Sequence, residues 1–196
     1  ITVFARSARL MPEHPPRAAR RLYECLTKAG CAVRCGHPVS HIEANRLHLD
    51  NGEAHEFDAC FLVTAVAPPA WLSQTGLELD AAGFIAVNST LQSRSHPNIF
   101  AAGDIATIVG SPRPKAGVYA VRAGPVLADN IRRFVAGRRP KPWKPQRRAL
   151  AILGTADGRS VGIRGNHASH SRFWWWLKKW IDRRWMAKYT LSLIHI

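Results

Sequence analysis

Apolar and polar positions fall into short blocks along this chain, and the period of the blocks changes from one to the next. Ile1–Ala5 is a β-branched apolar run that reads as a buried strand. Pro15-Pro16 places proline in a first helical turn, Arg17–Ala29 continues with good helix formers, and Gly30 supplies the stop. Cys31–Cys35 returns to extended structure. Pro38–Asn45 and Arg46–Asp50 alternate, and Asn51-Gly52 is a tight-hairpin signal ahead of Ala54–Phe57, which together predict a small antiparallel insert. Ala59–Val66 is apolar on both faces, the pattern of a central strand, and Pro68-Pro69 ends it. Strands are predicted at Phe84–Val87 and at Asn98–Ala102, the second stopping at Gly103-Asp104. Val118, Val121, Leu127, Ile131 and Phe134 recur close to a 3.6-residue period, which predicts a helix over Ala116–Val135, kinked or interrupted at Gly124-Pro125. Gly137–Gln146, rich in proline and cations, reads as a linker or exposed crossing segment. Ala149–Gly154 and Ser160–Ile163 flank an Asp157-Gly158 turn, a second hairpin, and Ser171–Tyr189 is the final helix.

Composition narrows the class. With 196 residues, 46% hydrophobic and 21% charged, the chain has enough apolar content for one or two modest globular domains and does not read as disordered. The net charge of +15 is unevenly spread: Ile1–Asn130 carries 12 basic and 11 acidic residues, the remainder 16 and 2. No apolar run approaches the ~20 residues of a membrane span, and no charged-then-apolar leader is present. The expectation is a cytoplasmic protein, neither secreted nor transmembrane. Cys25, Cys31, Cys35 and Cys60 form no paired C-x-x-C arrangement and are expected to be reduced. Ile1 is not an initiator methionine and opens directly into a strand, so the sequence reads as an N-terminally truncated fragment. Residues 190–196 share none of the preceding pattern and read as a non-native tail.

The segment from Thr90 to Thr107 carries the most chemistry. An apolar strand ending in Gly103-Asp104 sets a carboxylate at the carboxyl edge of a sheet, where open α/β folds bind ligands. Glycine there lets a ligand approach the backbone. Taken alone, the pair is more often a turn carboxylate. Thr90, its spacer and Ile99-Phe-Ala-Ala-Gly-Asp104 together resemble the second flavin-binding motif of the FAD-dependent pyridine nucleotide oxidoreductases. The resemblance implies that Asp104 holds the ribityl chain of FAD. It extends to Pro114–Arg122, the start of a helix whose unpaired N–H groups and positive dipole end can stabilise charge on a reduced flavin ring. Lys115, Ala116, Gly117 and Val118 are the candidate contacts; an ordinary core helix is the alternative.

The front of the chain resembles the later part of the NAD(P)-binding domain of the same family, in the order strand, Arg-Leu-Met-Pro, helix, Gly-Cys-Ala-Val, hairpin, central strand. In NAD-dependent members an acidic residue commonly ends the first of these strands and accepts both ribose hydroxyls. Here the strand ends in Ala5-Arg6-Ser7, and Arg6 favours a 2′-phosphate, hence NADPH, because a guanidinium makes charge-assisted bidentate bonds. Ala65 stands where relatives carry a glycine near flavin and nicotinamide, and Trp71 either covers that site or packs locally. The C-terminal part looks most like the type II NADH dehydrogenase branch and its relatives attached to selenide, water dikinases. The implied fold class is α/β: parts of two Rossmann-like FAD/NAD(P)-binding domains plus a small C-terminal α+β cap. The implied division is 1–87 for the NAD(P)-binding part, 88–136 for the closing FAD segment and 137–189 for the basic cap. The implied activity is hydride transfer from NAD(P)H through FAD to an acceptor such as a quinone. Both glycine-rich dinucleotide fingerprints would precede Ile1, so this piece alone is not expected to assemble a complete site. No redox cysteine pair and no catalytic acid or base is identified.

Arg172–Tyr189 predicts a basic amphipathic helix with Trp174, Leu177, Ile181 and Trp185 along one side. Tryptophan suits a bilayer boundary and each cation near anionic lipid contributes about 1 kcal/mol, so peripheral membrane attachment is one reading. Packing on another domain with solvated cations is the other. Nucleic acid ranks below lipid, since no zinc-finger spacing or RNA motif accompanies the charge. His167 and His170 lack an accompanying ligand cluster, and no metal site is expected. Two rivals to an oxidoreductase remain: a non-catalytic regulatory or targeting domain of a selenide, water dikinase fusion, and a membrane- or nucleic-acid-binding module on an oxidoreductase scaffold.

Overall fold

The opening run does form a strand, β1 (Thr2–Ala5), and it pairs in parallel with β2 (Ala32–Cys35), Val3 lying opposite Val33. Parallel neighbours need a crossover, and α1 (Pro16–Lys28) supplies it. Pro16 sits at the first helical position, where its missing N–H costs nothing. Gly30, at φ +79°, ends the helix with its N–H on the Thr27 carbonyl. In the computed structural model, residues 1–187 are described, and they fall into two compact units: Ile1–Phe61 with the segment from Leu150 onward, and Leu62–Ala149.

The first unit contains two further sheets. In the insert, β3 (Val39–Ile42), β4 (Arg46–Leu49) and β5 (Ala54–Glu56) form an antiparallel sheet in that order, with Gly52 at φ +87° in the predicted tight turn. At the chain's other end, β8 (Ala151–Gly154), β9 (Ser160–Arg164) and β10 (His167–Ser171) form a three-stranded meander. The buried residues Val161 and Ile163 of β9 pack with Ala18 of α1, and Leu22 and Leu153 close over them. Helix α3 (Arg172–Met186) follows β10, and the Ser171 hydroxyl caps it by accepting from the Trp174 N–H at 3.4 Å. Strand β10 went unread in the sequence because His-Ala-Ser-His-Ser lacks the β-branched and aromatic residues that mark strands.

The second unit is organised by β6 (Ile85–Val87) and β7 (Ala106–Ile108), a parallel pair, and by α2 (Gly117–Val135). Val87, Leu91, Leu72 and Ala123 are fully buried at its centre. Helix α2 runs through Pro125 without interruption, so one outcome allowed by the sequence does not occur. Two predicted strands are corrected. Ala59–Val66 pairs with nothing among the described residues, and Phe61 and Val63 are 88% and 93% exposed. An apolar run becomes a central strand only where ladders exist on both sides to satisfy its N–H and C=O groups. Asn98–Ala102 makes one bridge, Phe100 to Gln92, and the strand in this region begins four residues past Ala102, at Ala106, instead.

The segment 137–146 is likewise no free linker. Asn130 of α2 is fully buried, and its amide donates to the carbonyls of Thr90 and Lys141, both at 2.9 Å, while its oxygen accepts from the Lys141 N–H at 2.7 Å. Trp143 packs on the core and its N–H bonds the Ser89 carbonyl. Arg113 donates to the carbonyls of Pro145 and Gln146. The prolines remove donors that a strap in this position could not pair. The tail at 190–196, with Lys188 and Tyr189, lies outside the described residues.

Candidate functional site

Gly103 adopts φ +78°, a conformation that favours glycine, and an added Cβ would lie 3.4 Å from the Ala120 Cβ. It opens a short 3-10 turn, Gly103–Ile105, that leads into β7 and carries Asp104. Ala102, Gly103, Asp104, Lys115, Tyr119 and Trp143 line a small cavity of about 40 Å³. That volume is enough for a water and far below that of a flavin ring. The Asp104 carboxylate accepts no hydrogen bond among the described residues. The carboxylate is half-buried on the cavity wall, next to a glycine without a Cβ, and the Lys115 ammonium acts on it through charge.

Lys115 is held differently. Its ammonium donates to the Ala106 carbonyl at 2.7 Å and the Thr107 hydroxyl at 3.0 Å, and it lies 3.9 Å above the Phe84 ring. Burial pushes its pKa down, against the opposing pull of Asp80 and Asp104. Burial acts to raise the Asp80 pKa, but the Thr107 hydroxyl, the Phe84 and Ala82 N–H groups and Lys115 outweigh it, and the carboxyl is held below its usual range. The Lys115 head group thus locks the sheet edge beside Asp104. Ala116 precedes α2 without a side-chain capping hydrogen bond, and among the described residues no side chain accepts a hydrogen bond from the N–H groups of Gly117 and Val118 that follow. These three stand at the mouth of the helix and not in the cavity wall.

The other two sequence-predicted residues are elsewhere. Arg6, directly after β1 in the first unit, is exposed and makes no hydrogen bond or ion pair among the described residues. Nearby Arg9 instead donates to the carbonyls of Met11, Pro12 and His14, holding the loop before α1. Ala65 lies in the exposed stretch after Phe61, and Trp71 is half exposed while Leu72 beside it is buried.

Three features were not read from the sequence. Asp80 and Thr107 join Lys115 across a long separation. Cys25 lies 3.8 Å from His170 Nδ1, yet burial, with Asp157 and Glu24, pushes its thiol up, the opposite of an activated nucleophile. His41, Glu43 and His48 bring their ligand atoms within 4.8 Å of one another; the signal was the i, i+2 spacing of His41 near the end of β3 and Glu43 just past it, facing a histidine on the next strand.

On α3 the observed faces differ in part from the expected stripe. Trp174 packs toward β9 and its indole N–H donates to Ser169 at 2.7 Å. Trp175, Trp176, Trp180, Lys179, Arg183 and Arg184 line an open surface groove. Lys179 lies over Trp175 at 4.3 Å and Arg184 over Trp180 at 5.6 Å. No described helix is long and apolar enough to cross a membrane.

Comparison with known proteins follows the same lines. Residues 1–124 match the family model described as pyridine nucleotide-disulphide oxidoreductase. Ferroptosis suppressor protein 1 of Xenopus tropicalis is 29% identical over 160 residues, covering 76% of this chain and 41% of that protein. The type II NADH:quinone oxidoreductase Ndh of Mycobacterium tuberculosis is 26% identical over 144 residues, covering 69% and 31%. The crystal structure of an FAD-dependent pyridine nucleotide-disulphide oxidoreductase from Desulfovibrio vulgaris matches with a TM-score of 0.67 at 26% identity, over 82% of this chain and 41% of that one. The chain therefore spans less than half the length of these relatives.

Proposed function

Because this chain belongs to the pyridine nucleotide-disulphide oxidoreductase family, we propose that the full-length protein is an FAD-dependent oxidoreductase that takes hydride from NAD(P)H and delivers electrons to a quinone-like acceptor. The observation that carries this reading is Asp104: a carboxylate that accepts no hydrogen bond among the described residues, next to the left-handed Gly103 and on the same cavity wall as Lys115, near the uncapped N-terminus of α2. When bound, FAD supplies the hydride chemistry. The chain's residues position it. Asp104 would accept from polyol hydroxyls, and the Gly117 and Val118 N–H groups that follow Ala116 would face negative charge on the bound group, while Lys115 holds the β7 edge through the Ala106 carbonyl. The quinone acceptor is supported by the activity printed in the name of the mycobacterial relative.

Arg6 supports a preference for NADPH, since its guanidinium is exposed and uncommitted where an acid would serve NADH. Ala65 is proposed to stand at the flavin–nicotinamide junction. The exposed tryptophans and cations of α3 support attachment to an anionic bilayer surface. No observation bears on a fused selenide, water dikinase.

The test is the purified full-length protein. A yellow protein whose flavin absorbance bleaches on adding NADPH, and which loses FAD in Asp104→Ala, is expected; colourless folded protein, or full FAD occupancy in Asp104→Ala, overturns the reading. Flotation with phosphatidylglycerol vesicles tests attachment, and equal flotation of wild type and a Trp176→Ala/Trp180→Ala variant counts against α3 as the anchor.

A further inference from the structure

We propose that His41, Glu43 and His48 form a binding site for one divalent transition-metal ion of the zinc class, on the antiparallel insert and independent of the flavin reading. The site is built by a slip in the ladder. Val39 pairs with Leu49, but His41 pairs with His48, so Ser40 is an extra residue in β3. Such a bulge re-aims the residues that follow it. Without it the running register would set His41 against Leu47; with it the two histidines stand directly opposite and on one face.

Their rings lie 4.1 Å apart and nearly parallel, and both Nε2 atoms approach the same carboxylate oxygen, Glu43 Oε1, at 3.8 Å for His41 and 3.5 Å for His48. Glu43 is held in place by its own N–H, which donates to the Arg46 carbonyl at 2.8 Å and closes the β3–β4 turn. A tetrahedral ion with bonds of about 2.1 Å separates its ligand atoms by about 3.4 Å, close to these spacings. The rings are stacked, so metal binding requires the half-exposed His41 ring to turn out of the stack and aim its Nε2 lone pair toward that of His48.

Two further observations point to a ligand. His48 Nε2 is buried and makes no hydrogen bond, since the carboxylate at 3.5 Å is beyond good hydrogen-bond geometry. The second concerns His41. The Ser40 hydroxyl donates to the His48 carbonyl at 3.1 Å and lies 3.2 Å from His41 Nδ1; in the tautomer protonated at Nδ1 the ring donates to that hydroxyl and presents Nε2 as the acceptor a metal needs. A hydrogen bond from the ring nitrogen that does not face the ion is how metal-ligating imidazoles are oriented. Two imidazoles and one carboxylate suit zinc, cobalt(II) or nickel(II) better than calcium or magnesium, and they leave a fourth position to water. The ion ties β3 to β4 at the point where the ladder slips.

The experiment is calorimetric titration of Zn²⁺ into the full-length, chelator-treated protein. Wild type is expected to take up one more equivalent than His41→Ala or His48→Ala, because the four cysteines contribute the same background to all three. Ser40→Ala, which keeps every ligand, is expected to weaken that equivalent about 10- to 100-fold, and His167→Ala to leave it unchanged. His41→Ala removes a largely exposed side chain, so an unchanged circular dichroism spectrum in that variant shows that lost binding is not lost folding. Equal zinc stoichiometry and affinity in wild type and His41→Ala overturns the proposal, as does a wild type that takes up no zinc beyond the His41→Ala/His48→Ala background.

Discussion

Replacing Asn130 by alanine removes three hydrogen bonds at once and leaves the carbonyls of Thr90 and Lys141 and the Lys141 N–H inside the protein without partners. Each bond is worth about 0.5–1.5 kcal/mol net, and an orphaned buried group costs about 1–3 kcal/mol. Partial hydration of the strap offsets some of this, so a loss of about 2–4 kcal/mol is expected. The loss should be local, because these bonds hold only the segment 137–146 to α2 and to the turn at Thr90. The Trp143 N–H reports it: its acceptor, the Ser89 carbonyl, is untouched by the substitution, so its protection falls only if the strap lifts. At about 1.4 kcal/mol per tenfold, hydrogen exchange at Trp143 should accelerate about 30- to 700-fold. Residue-resolved exchange on wild type and Asn130→Ala is the assay. An exchange rate at Trp143 within threefold of wild type would refute the claim that Asn130 anchors the strap. Asn130→Asp sharpens the test, since it keeps the acceptor for Lys141 but sets a carboxylate against two carbonyl oxygens. It should be no better than alanine.

A methyl group at Gly162 would run into the Trp174 indole, so Gly162→Ala should cost about 1–3 kcal/mol and lower Tm, with Trp174→Phe relieving part of the loss. Asp80 has its pKa depressed in the folded state, so its contribution to stability is present above the unfolded value and is lost as pH falls through the folded one. Urea midpoints measured from pH 6 down to pH 3 should therefore fall more steeply in wild type than in Asp80→Asn, and parallel profiles would contradict the network drawn around Lys115. Arg6→Ala should raise KM for NADPH about tenfold or more while leaving NADH within twofold, in steady-state assays of the full-length protein; equal effects on both nucleotides would remove Arg6 from 2′-phosphate recognition.

Elements whose partners lie close in sequence were the legible ones. Pro16 and Gly30 bracket α1, and Asn51-Gly52 sets the β4–β5 turn, because each acts through the backbone of its immediate neighbours. The fold class followed from such pieces together with the Thr90–Asp104 string, and the family match bears it out. Ala59–Val66 was misread because two-sided hydrophobicity records what a segment needs to bury and carries no information on which strands will lie beside it. Of the two outcomes expected at Pro125, interruption does not occur: α2 is continuous from Gly117 to Val135, with Ala123 and Asn130 buried on either side of the proline.

Candidate chemistry shows the same division more sharply. Gly103-Asp104 could be picked out because a positive-φ glycine and an adjacent acid are written side by side. The Asp80–Thr107–Lys115 network could not, since its members come from a turn, a strand edge and the approach to a helix, and only the pairing of β6 with β7 draws them together. His41 and His48 are an intermediate case. A hairpin was predicted over them, and an unbroken ladder continued from Val39 and Leu49 would have set His41 against Leu47 and separated it from His48. One inserted residue, Ser40, reverses that outcome and at the same time supplies the hydroxyl that orients the His41 ring. A single bulge thus decides whether the two imidazoles meet, and no residue type at Ser40 marks it in the sequence.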